Sequence, residues 1–210
     1  MPELPEVEVV KRSLEKRIKS LIIKKIKIYD GNLRYKVTKQ DLSKILGLRL
    51  LKIKRRSKYL LFYFSKKVVV VFHLGMTGKL LLIRKSDKKI FKTSFYYDLN
   101  ILPKHNHIHF KLNNGYYLIY NDVRRFGFFK IYNTKHFSKI TFLNKLGLEP
   151  FSKKLDLKYF KHFIRKKKKN IKNLLMDQSF ICGLGNIYVN EVLFLSEINP
   201  TKSCVKLNDN

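Results

Sequence analysis

Apolar residues near the start of the chain recur at steps of three and four. Val7, Val10, Leu14, Ile18 and Leu21 would share one face of a helix. Carboxylates crowd the start of this segment and basic residues its end, an order that complements the helix dipole. The pattern predicts an N-terminal amphipathic helix, and it offers a purely structural explanation for the acidic start.

From about residue 22 the pattern changes to short runs rich in β-branched and aromatic residues. The runs are IIKKIKIY, YLLFYF, KVVVVFHL, GKLLLIR, HIHFKL, YYLIY and FGFFKIY. Asn113-Asn114-Gly115, between HIHFKL and YYLIY, is typical of a hairpin turn. Seven short strands after one helix predict a β-sandwich or a flattened barrel.

The strand pattern stops near residue 133. The remainder predicts helices near 156–166 and 171–177 and a third helix that starts at Gly185. We therefore predict an α+β protein with two domains. Residues 1–135 would form the helix and sandwich, and residues 136–210 a helical domain.

The chain is strongly basic, with 46 Lys and Arg against 15 Asp and Glu and a formal net charge of +31. A Lys-rich composition accounts for part of this excess, and the rest favours nucleic acid ahead of an anionic membrane surface as the partner. No segment approaches the roughly 18 apolar residues of a spanning helix. The acidic start is unlike a signal peptide, so we expect a cytoplasmic protein. Two cysteines, Cys182 and Cys204, exclude a disulfide framework or a Cys-rich zinc site built from this chain alone.

Pro2 is the first candidate for chemistry. Removal of an initiator Met would leave a secondary amine, and α-amino groups have a pKa of about 7.7–8.0, so a neutral fraction exists at physiological pH. A neutral amine can attack a sugar C1′ or an aldehyde and form an iminium, with Glu3 or Glu6 as the proton source. Proline is also common at helix starts, so the residues alone leave both interpretations open.

Three predicted loops offer a second set of candidates. RRSKYLL places Lys58 between two arginines and a buried strand, HLGMTG would expose Met76, and NDVRRFGFF would expose Arg124 and Phe126. Such side chains can wedge between bases and fill the gap left by a flipped nucleotide. Met76 and Phe126 can equally fold back into the core.

Three further features each have a functional and a plain interpretation. CGLGNIY would place two glycines before a helix that begins at Asn186, which suits either phosphate binding or a simple turn. The basic run 165–169 suits nucleic acid or a solvated face. His105, His107 and His109 alternate on one predicted strand, but no carboxylate joins them, so we predict no metal site in this chain.

The order of these motifs resembles the formamidopyrimidine-DNA glycosylases, which are bacterial base-excision repair enzymes. The resemblance is carried by PELPEVE, RRSKYLL, HLGMTG, KHNHIHF, DVRRFG, LGLEP, the basic run and LMDQSFICGLGNIYVNEVLF, and it spans almost the whole chain. Leu4 favours the oxidised-purine branch over the endonuclease VIII group, whose start usually reads PEGPE. The fold implied is a two-layered β-sandwich with an N-terminal helix, followed by a helix–two-turn–helix domain.

The resemblance also implies a role for each matching residue. Pro2 would attack C1′ of the damaged nucleotide, Glu3 would donate the proton, and Lys58 would support β-elimination. Met76, Arg124 and Phe126 would fill the void after the base leaves the stack. The full set of implied substrate and DNA-binding residues is Glu6, His73, Met76, His105, Arg124, Phe126, Lys167 and Asn186.

The implied function is excision of 8-oxoguanine and formamidopyrimidines, followed by nicking of the abasic site through a Schiff base. The implied partner is double-stranded DNA with oxidised purines, bound by a monomer in the bacterial cytoplasm and nucleoid, without membrane association. Family members continue for several dozen residues, which complete the helical domain and end in a four-cysteine zinc ribbon. We therefore expect a partial helical domain and no cofactor in this chain. The alternative is a truncated, catalytically impaired relative that only binds DNA.

Overall fold

The computed structural model describes residues 2–84, 86, 89–91, 93, 101–165 and 167–207. The chain divides into two compact units, Met1–Ser138 and Lys139–Asn210. The division falls shortly after the predicted boundary at residue 135, because the chain continues from the last strand into a 3-10 segment, Thr134–Lys139.

The first unit opens with helix α1, Leu4–Ile18. Its predicted apolar face is confirmed, because the side chains on that face are almost fully buried. These residues are Val7, Val10, Leu14 and Ile18, each at most 3% exposed. Leu21 lies beyond the end of the helix, which has Lys19 as its C-cap.

The described part of the first unit contains nine strands. They are β1 Ile23–Ile28, β2 Leu50–Arg56, β3 Tyr59–Phe64, β4 Val68–His73, β5 Gly78–Arg84, β6 Lys89–Phe91, β7 Asn106–Leu112, β8 Tyr116–Asp122 and β9 Phe128–Asn133. They form two antiparallel sheets, one in the order β1-β7-β8-β5-β6 and one in the order β2-β3-β4-β9. The predicted two-layered sandwich is therefore present. Aromatic side chains join the layers, since Phe129 of β9 contacts Phe110 of β7 and Tyr120 of β8.

Three elements of this unit escaped the sequence analysis: β2, β6 and the short helix α2, Lys39–Ser43. A register shift between Leu50 and Lys52 breaks the alternation of β2, and the other two elements are only three and five residues long. RRSKYLL is therefore not an open loop but a tight hairpin between β2 and β3. The hairpin turn predicted at Asn113-Asn114-Gly115, before β8, is confirmed, with Gly115 at a φ of +84°.

The second unit is helical, with α3 Thr141–Asn144, α4 Leu157–Ile164, α5 Ile171–Leu175 and α6 Asn186–Leu195. The three helices predicted from the sequence are present, and Gly185 is the N-cap of α6. The core of the unit centres on Phe180, whose ring stacks on Tyr159 at 5.7 Å and on Phe163 at 4.4 Å between centroids. Within the described ranges no helix is long and apolar enough to cross a membrane.

Candidate active site

The acidic cluster at the N-terminus forms the cap of α1. Glu3 is the N-cap residue and is only 2% exposed. Glu6 Oε2 accepts a hydrogen bond from the Glu3 backbone N–H at 2.8 Å, and the Glu3 side chain accepts reciprocally from the Glu6 N–H. This capping box satisfies backbone donors at the start of the helix. Glu3 and Glu6 therefore stabilise the start of α1, as a purely structural interpretation of the sequence expects. The same hydrogen bonds fix the orientation of both side chains next to Pro2.

Pro2 and Glu6 line a small cleft together with Met76 of the loop between β4 and β5. Thr77 and Gly78 form part of the same wall. The start of α1 and the tip of a loop more than 70 residues later in the sequence are thus neighbours in the fold. The proposed nucleophile and one proposed void-filling residue share a single cleft.

Lys58 lies in the tight turn between β2 and β3 and is only 6% exposed. The turn depends on Ser57 in the left-handed region, at a φ of +55°. Arg55 Nη1 donates to the Ser57 carbonyl oxygen at 2.9 Å, and Arg55 Nε donates to Glu8 Oε2 of α1 at 3.0 Å. Burial raises the pKa of Glu8, but hydrogen bonds from Arg12 and Arg55 outweigh it and hold that pKa below its usual value. A charged Glu8 thus ties the turn that carries Lys58 to the helix that carries Glu3.

His73 ends β4 with its ring packed between aromatic neighbours. The ring centroid is 5.5 Å from that of Phe128 and 4.9 Å from that of Tyr59. Burial, with the charges of Arg34 and Lys58, lowers the pKa of His73 to about 4. Nδ1 accepts from the Gly75 N–H at 3.1 Å. The neutral ring therefore carries its proton on Nε2, which is a hydrogen-bond donor of the kind that a phosphate accepts.

The side chains proposed to fill the void form one exposed cluster. Met76 is 45% exposed and Phe126 is 47% exposed, so neither folds back into the core. Arg124 Nη1 donates to Met76 Sδ at 3.1 Å, and the Arg124 guanidinium lies 4.6 Å from the centre of the Phe126 ring. We call Met76, Arg124 and Phe126 the wedge cluster.

An open pocket of about 650 Å³ adjoins the wedge cluster. Its other wall is the loop after β1, through Asn32, Leu33 and Arg34, and His73 lies at its base. Arg125 also lines the pocket, and its guanidinium is 2.8 Å from Asp30 Oδ2. That loop was not among the sequence candidates, because nothing in its composition sets it apart from other short connections.

Two buried polar residues at the end of β8 also escaped the sequence analysis. Asn121 is 3% exposed and Asp122 is fully buried. Asn121 Nδ2 donates to Asn106 Oδ1 at 2.8 Å and to the Leu102 carbonyl oxygen at 3.3 Å, which orients the segment that carries His105. Polar residues that end an apolar strand such as YYLIYND are a signal that could have identified them, because buried polar groups need partners.

The predicted common face for the three histidines is wrong. His105 belongs to a 3-10 turn, Pro103–His105, and β7 begins after it with a register shift between Asn106 and Ile108. His107 is buried and its Nε2 lies 2.7 Å from the Asp122 carbonyl oxygen, whereas His109 contacts the Tyr29 ring. Among the residues that the structure describes, no group of three or more His, Cys, Asp or Glu is arranged to hold a metal ion.

The second unit holds the two remaining candidates. Lys167 is exposed after the end of α4, with Nζ 5.7 Å from the Phe163 ring centre. Asn186 is the exposed first residue of α6. Gln178 shapes the glycine-rich turn before it, since Oε1 accepts from the Gly183 N–H at 2.9 Å and Nε2 donates to the Leu184 carbonyl oxygen at 2.8 Å.

Comparisons with known proteins match both units. Residues 1–129 match the formamidopyrimidine-DNA glycosylase N-terminal domain, and residues 146–210 match the H2TH domain of the same enzymes. The formamidopyrimidine-DNA glycosylase of Rickettsia africae is 42% identical over 209 residues, which cover 100% of this chain and 71% of the relative. That of Lactobacillus gasseri is 41% identical over 203 residues, covering 97% of this chain and 69% of the relative.

Solved structures agree with the sequence relatives. Lactococcus lactis Fpg in complex with DNA that contains an abasic site superposes with a TM-score of 0.84 at 35% identity, covering 99% of this chain and 71% of that chain. The same protein in complex with DNA that contains FAPY-dG gives a TM-score of 0.84, also at 35% identity, covering 99% and 73%. The family models match most of the chain, and the relatives exceed 40% identity along its length. The chain therefore belongs to the formamidopyrimidine-DNA glycosylase family.

Proposed function

We propose that this protein is a DNA glycosylase and abasic-site lyase that removes oxidised purines from duplex DNA. The observation that carries the proposal is the cleft in which Pro2 and Glu6 meet Met76, next to the capped Glu3. Family membership supports the reaction class. The related Lactococcus lactis structures, which contain DNA with an abasic site or FAPY-dG, support the substrate class.

In the first step the Pro2 amine, exposed by removal of Met1, attacks C1′ of the damaged nucleotide. The bond from C1′ to the base breaks, and its electron pair leaves with the base. The C1′–O4′ bond then breaks, its electron pair stays on O4′, and the nitrogen lone pair forms the second bond to C1′. The departing base and O4′ each take up a proton, one released by the Pro2 nitrogen and one donated by Glu3. The opened sugar is then joined to Pro2 as an iminium, which cannot lose its charge by deprotonation at nitrogen.

The second step is β-elimination from that iminium. Loss of a proton from C2′ places an electron pair next to the iminium, which acts as an electron sink, and the bond from C3′ to the 3′ phosphate oxygen breaks. Lys58 supports this step as a nearly buried amine fixed by the β2–β3 turn. The steps use amine and carboxyl groups of the chain, so they require no cofactor.

Recognition of the duplex is assigned to three groups of residues. The wedge cluster occupies the space of the extruded base and holds the duplex open. His73 and His105 of the first unit, with Lys167 and Asn186 of the second, contact the DNA backbone. The excess of basic residues supplies the long-range attraction to a polyanion. We propose that the protein acts as a monomer.

Glu3→Gln separates the two steps. Gln keeps the shape of Glu and can still accept the Glu6 N–H, so the helix cap should persist. It cannot donate an acidic proton, so excision of 8-oxoguanine from a duplex should fall by about 100-fold or more. Covalent trapping by borohydride on a strand that already contains an abasic site should persist, because no base has to leave.

The test compares a duplex with one 8-oxoguanine, the same duplex without damage, and a preformed abasic strand. We expect incision and a trapped adduct on the damaged duplex and the abasic strand only. Equal loss of both activities in Glu3→Gln would argue against the proton-donor role. A protein that binds duplex DNA but neither incises it nor forms an adduct with any of these would contradict the proposal and support the DNA-binding relative.

A further inference from the structure

Asp122 is a fully buried carboxylate to which no role has been given so far. It ends β8 and pairs with Gly78 at the start of β5. Burying a carboxylate is costly unless hydrogen bonds compensate it. The hydrogen-bond partners of Asp122 therefore decide whether the buried carboxylate is tolerated.

Both carboxylate oxygens of Asp122 accept hydrogen bonds from separate segments. Thr77, in the loop after β4, donates its hydroxyl to Oδ1. Oδ2 accepts from the Gly127 N–H at 2.8 Å and from the Tyr120 hydroxyl at 3.1 Å. The carbonyl oxygen of the same residue lies 2.7 Å from His107 Nε2. One side chain thus connects two loops and the body of the first sheet.

Thr77 extends this connection to the wedge cluster. Its Oγ1 accepts from the Arg124 backbone N–H at 3.0 Å while its hydroxyl proton is given to Asp122. The two hydrogen bonds run in one direction: the Arg124 N–H donates to Thr77, and the Thr77 hydroxyl donates to Asp122. Hydrogen bonds to a charged acceptor are stronger than neutral ones, so the carboxylate fixes the direction of both bonds.

The two loops also meet backbone to backbone. A Cβ added to Gly75 would lie 2.5 Å from the Gly127 nitrogen, and one added to Gly127 would lie 2.9 Å from the His73 carbonyl oxygen. Neither position has room for a side chain, so the two loop backbones lie in direct contact there. Their tips carry Met76 on one side and Arg124 and Phe126 on the other, and the Arg124 side chain contacts both of the others.

We propose that Asp122 is a positioning residue that holds Met76, Arg124 and Phe126 in place as one wedge. This inference rests on the proposed function. Asp122 would not contact the DNA itself but would act on duplex DNA through the wedge cluster. Loss of the carboxylate should impair reactions that require a base to be extruded from a paired helix. It should spare the reaction of Pro2 with an abasic site in an unpaired strand, which has no stack to open.

The test uses Asp122→Asn and Thr77→Val in the full chain, because each removes one link and preserves shape. Thr38→Ala is the control, since it removes the N-cap of α2, destabilises the same unit by about 1 kcal/mol, and touches neither loop. We expect kcat/KM on duplex 8-oxoguanine DNA to fall about tenfold or more in the two test variants, as for loss of one well-placed hydrogen bond. Borohydride trapping on a single-stranded abasic oligonucleotide should stay within about twofold of wild type in Asp122→Asn. In Thr77→Val, whose residue also lines the Pro2 cleft, this trapping should fall much less than the rate on the duplex. The control should leave both activities unchanged.

Provided that the wild type is active, two outcomes would overturn the positioning role of Asp122. One is equal loss on the duplex and the single strand, and the other is an unchanged rate on the duplex in both test variants. If Asp122→Asn does not fold, Thr77→Val decides, because it keeps the buried carboxylate and its bonds to Gly127 and Tyr120. Failure of the wild type to trap on the single strand would instead contradict the proposed function itself.

Discussion

His73 shows how the packing around one residue sets its protonation state. Its ring is enclosed by Phe128 and Tyr59, and Arg34 and Lys58 repel a second proton. The charged ring is therefore disfavoured in the folded protein, where the pKa is about 4, but not in the unfolded chain, where it is about 6.5. Burial and the two neighbouring cations thus keep the His73 ring neutral at physiological pH.

This difference makes stability depend on pH with a definite sign. Below about pH 6.5 the unfolded chain binds a proton at His73 that the folded protein refuses until about pH 4, so stability should fall as pH drops through that window. The contribution is at most about 3 kcal/mol. His73→Asn, which keeps an acceptor for the Gly75 N–H, should flatten the pH dependence of urea unfolding between pH 7 and pH 4.5.

The control for this prediction is His136→Asn, at an exposed position in the same unit. Replacement there should change the free energy of unfolding by less than about 0.5 kcal/mol, because the side chain is exposed. An unchanged slope in His73→Asn would show that burial does not hold this ring neutral.

Gly147 of the LGLEP motif lies in close backbone contact with the segment around Phe180 in the second unit. Gly147 N–H donates to the Gln178 carbonyl oxygen at 2.8 Å, and Leu148 pairs with Ile181 in a parallel bridge. A Cβ at Gly147 would lie only 2.0 Å from the Phe180 carbonyl oxygen. The glycine is needed because two backbones touch there, and one of them belongs to the residue at the centre of the core.

Gly147→Ala should therefore destabilise the helical unit by about 1–3 kcal/mol, as overpacking of a core does. Thermal unfolding by circular dichroism, or hydrogen exchange of the amides near Phe180, would measure it. Lys153→Ala, at an exposed position a few residues later, is the matched control and should change stability by less than about 0.5 kcal/mol. Equal stability of the Gly147 and Lys153 variants would show that the contact relaxes at no cost.

Among helices and strands, the periodic patterns predicted those elements whose buried residues recur at regular spacing. Four of the five buried positions of α1 and the hairpin turn before β8 follow from spacing and turn chemistry. Strand β2 did not, because its irregular register and its four basic residues hide the buried positions. His105 was misplaced by one element, since a 3-10 turn and a strand end look alike in a short polar stretch.

The candidate site was only partly accessible from the sequence. Exposed Met76 and Phe126 could be proposed from loop position, and the structure places them together. Asp122 could not be connected to them, because its partners lie in another strand and two loops and depend on the sandwich having formed. Long-range hydrogen bonds leave no periodic signal in a sequence.

At the scale of the whole molecule, charge is the dominant feature. Several of the few carboxylates are already engaged with basic side chains, among them Glu8, Glu15, Asp30 and Asp177. Most of the 46 Lys and Arg therefore lack an acidic counterpart in the sequence. Such an excess favours binding to a polyanion in which released counterions supply the free energy.

Binding to undamaged duplex DNA should consequently weaken steeply with salt. Lys167→Ala should make the slope of log K against log salt concentration shallower by about one unit, because one phosphate contact is lost. Met76→Ala should weaken discrimination of damaged DNA without changing the slope, because its side chain is uncharged. Fluorescence anisotropy over a salt series measures both, and equal slope changes would contradict the division of roles between the two residues.

The catalytic role proposed for Pro2 requires that its N-terminal amine forms the covalent intermediate. Borohydride trapping on 8-oxoguanine duplex DNA, followed by nuclease and trypsin digestion and mass spectrometry, locates the adduct directly. We expect a modified peptide spanning residues 2–11, with the sugar remnant on the Pro2 nitrogen, and no adduct in a chain that retains Met1 or carries a blocked N-terminus. An adduct on the peptide of residues 57–66, which contains Lys58, or undiminished trapping by the blocked chain, would contradict it.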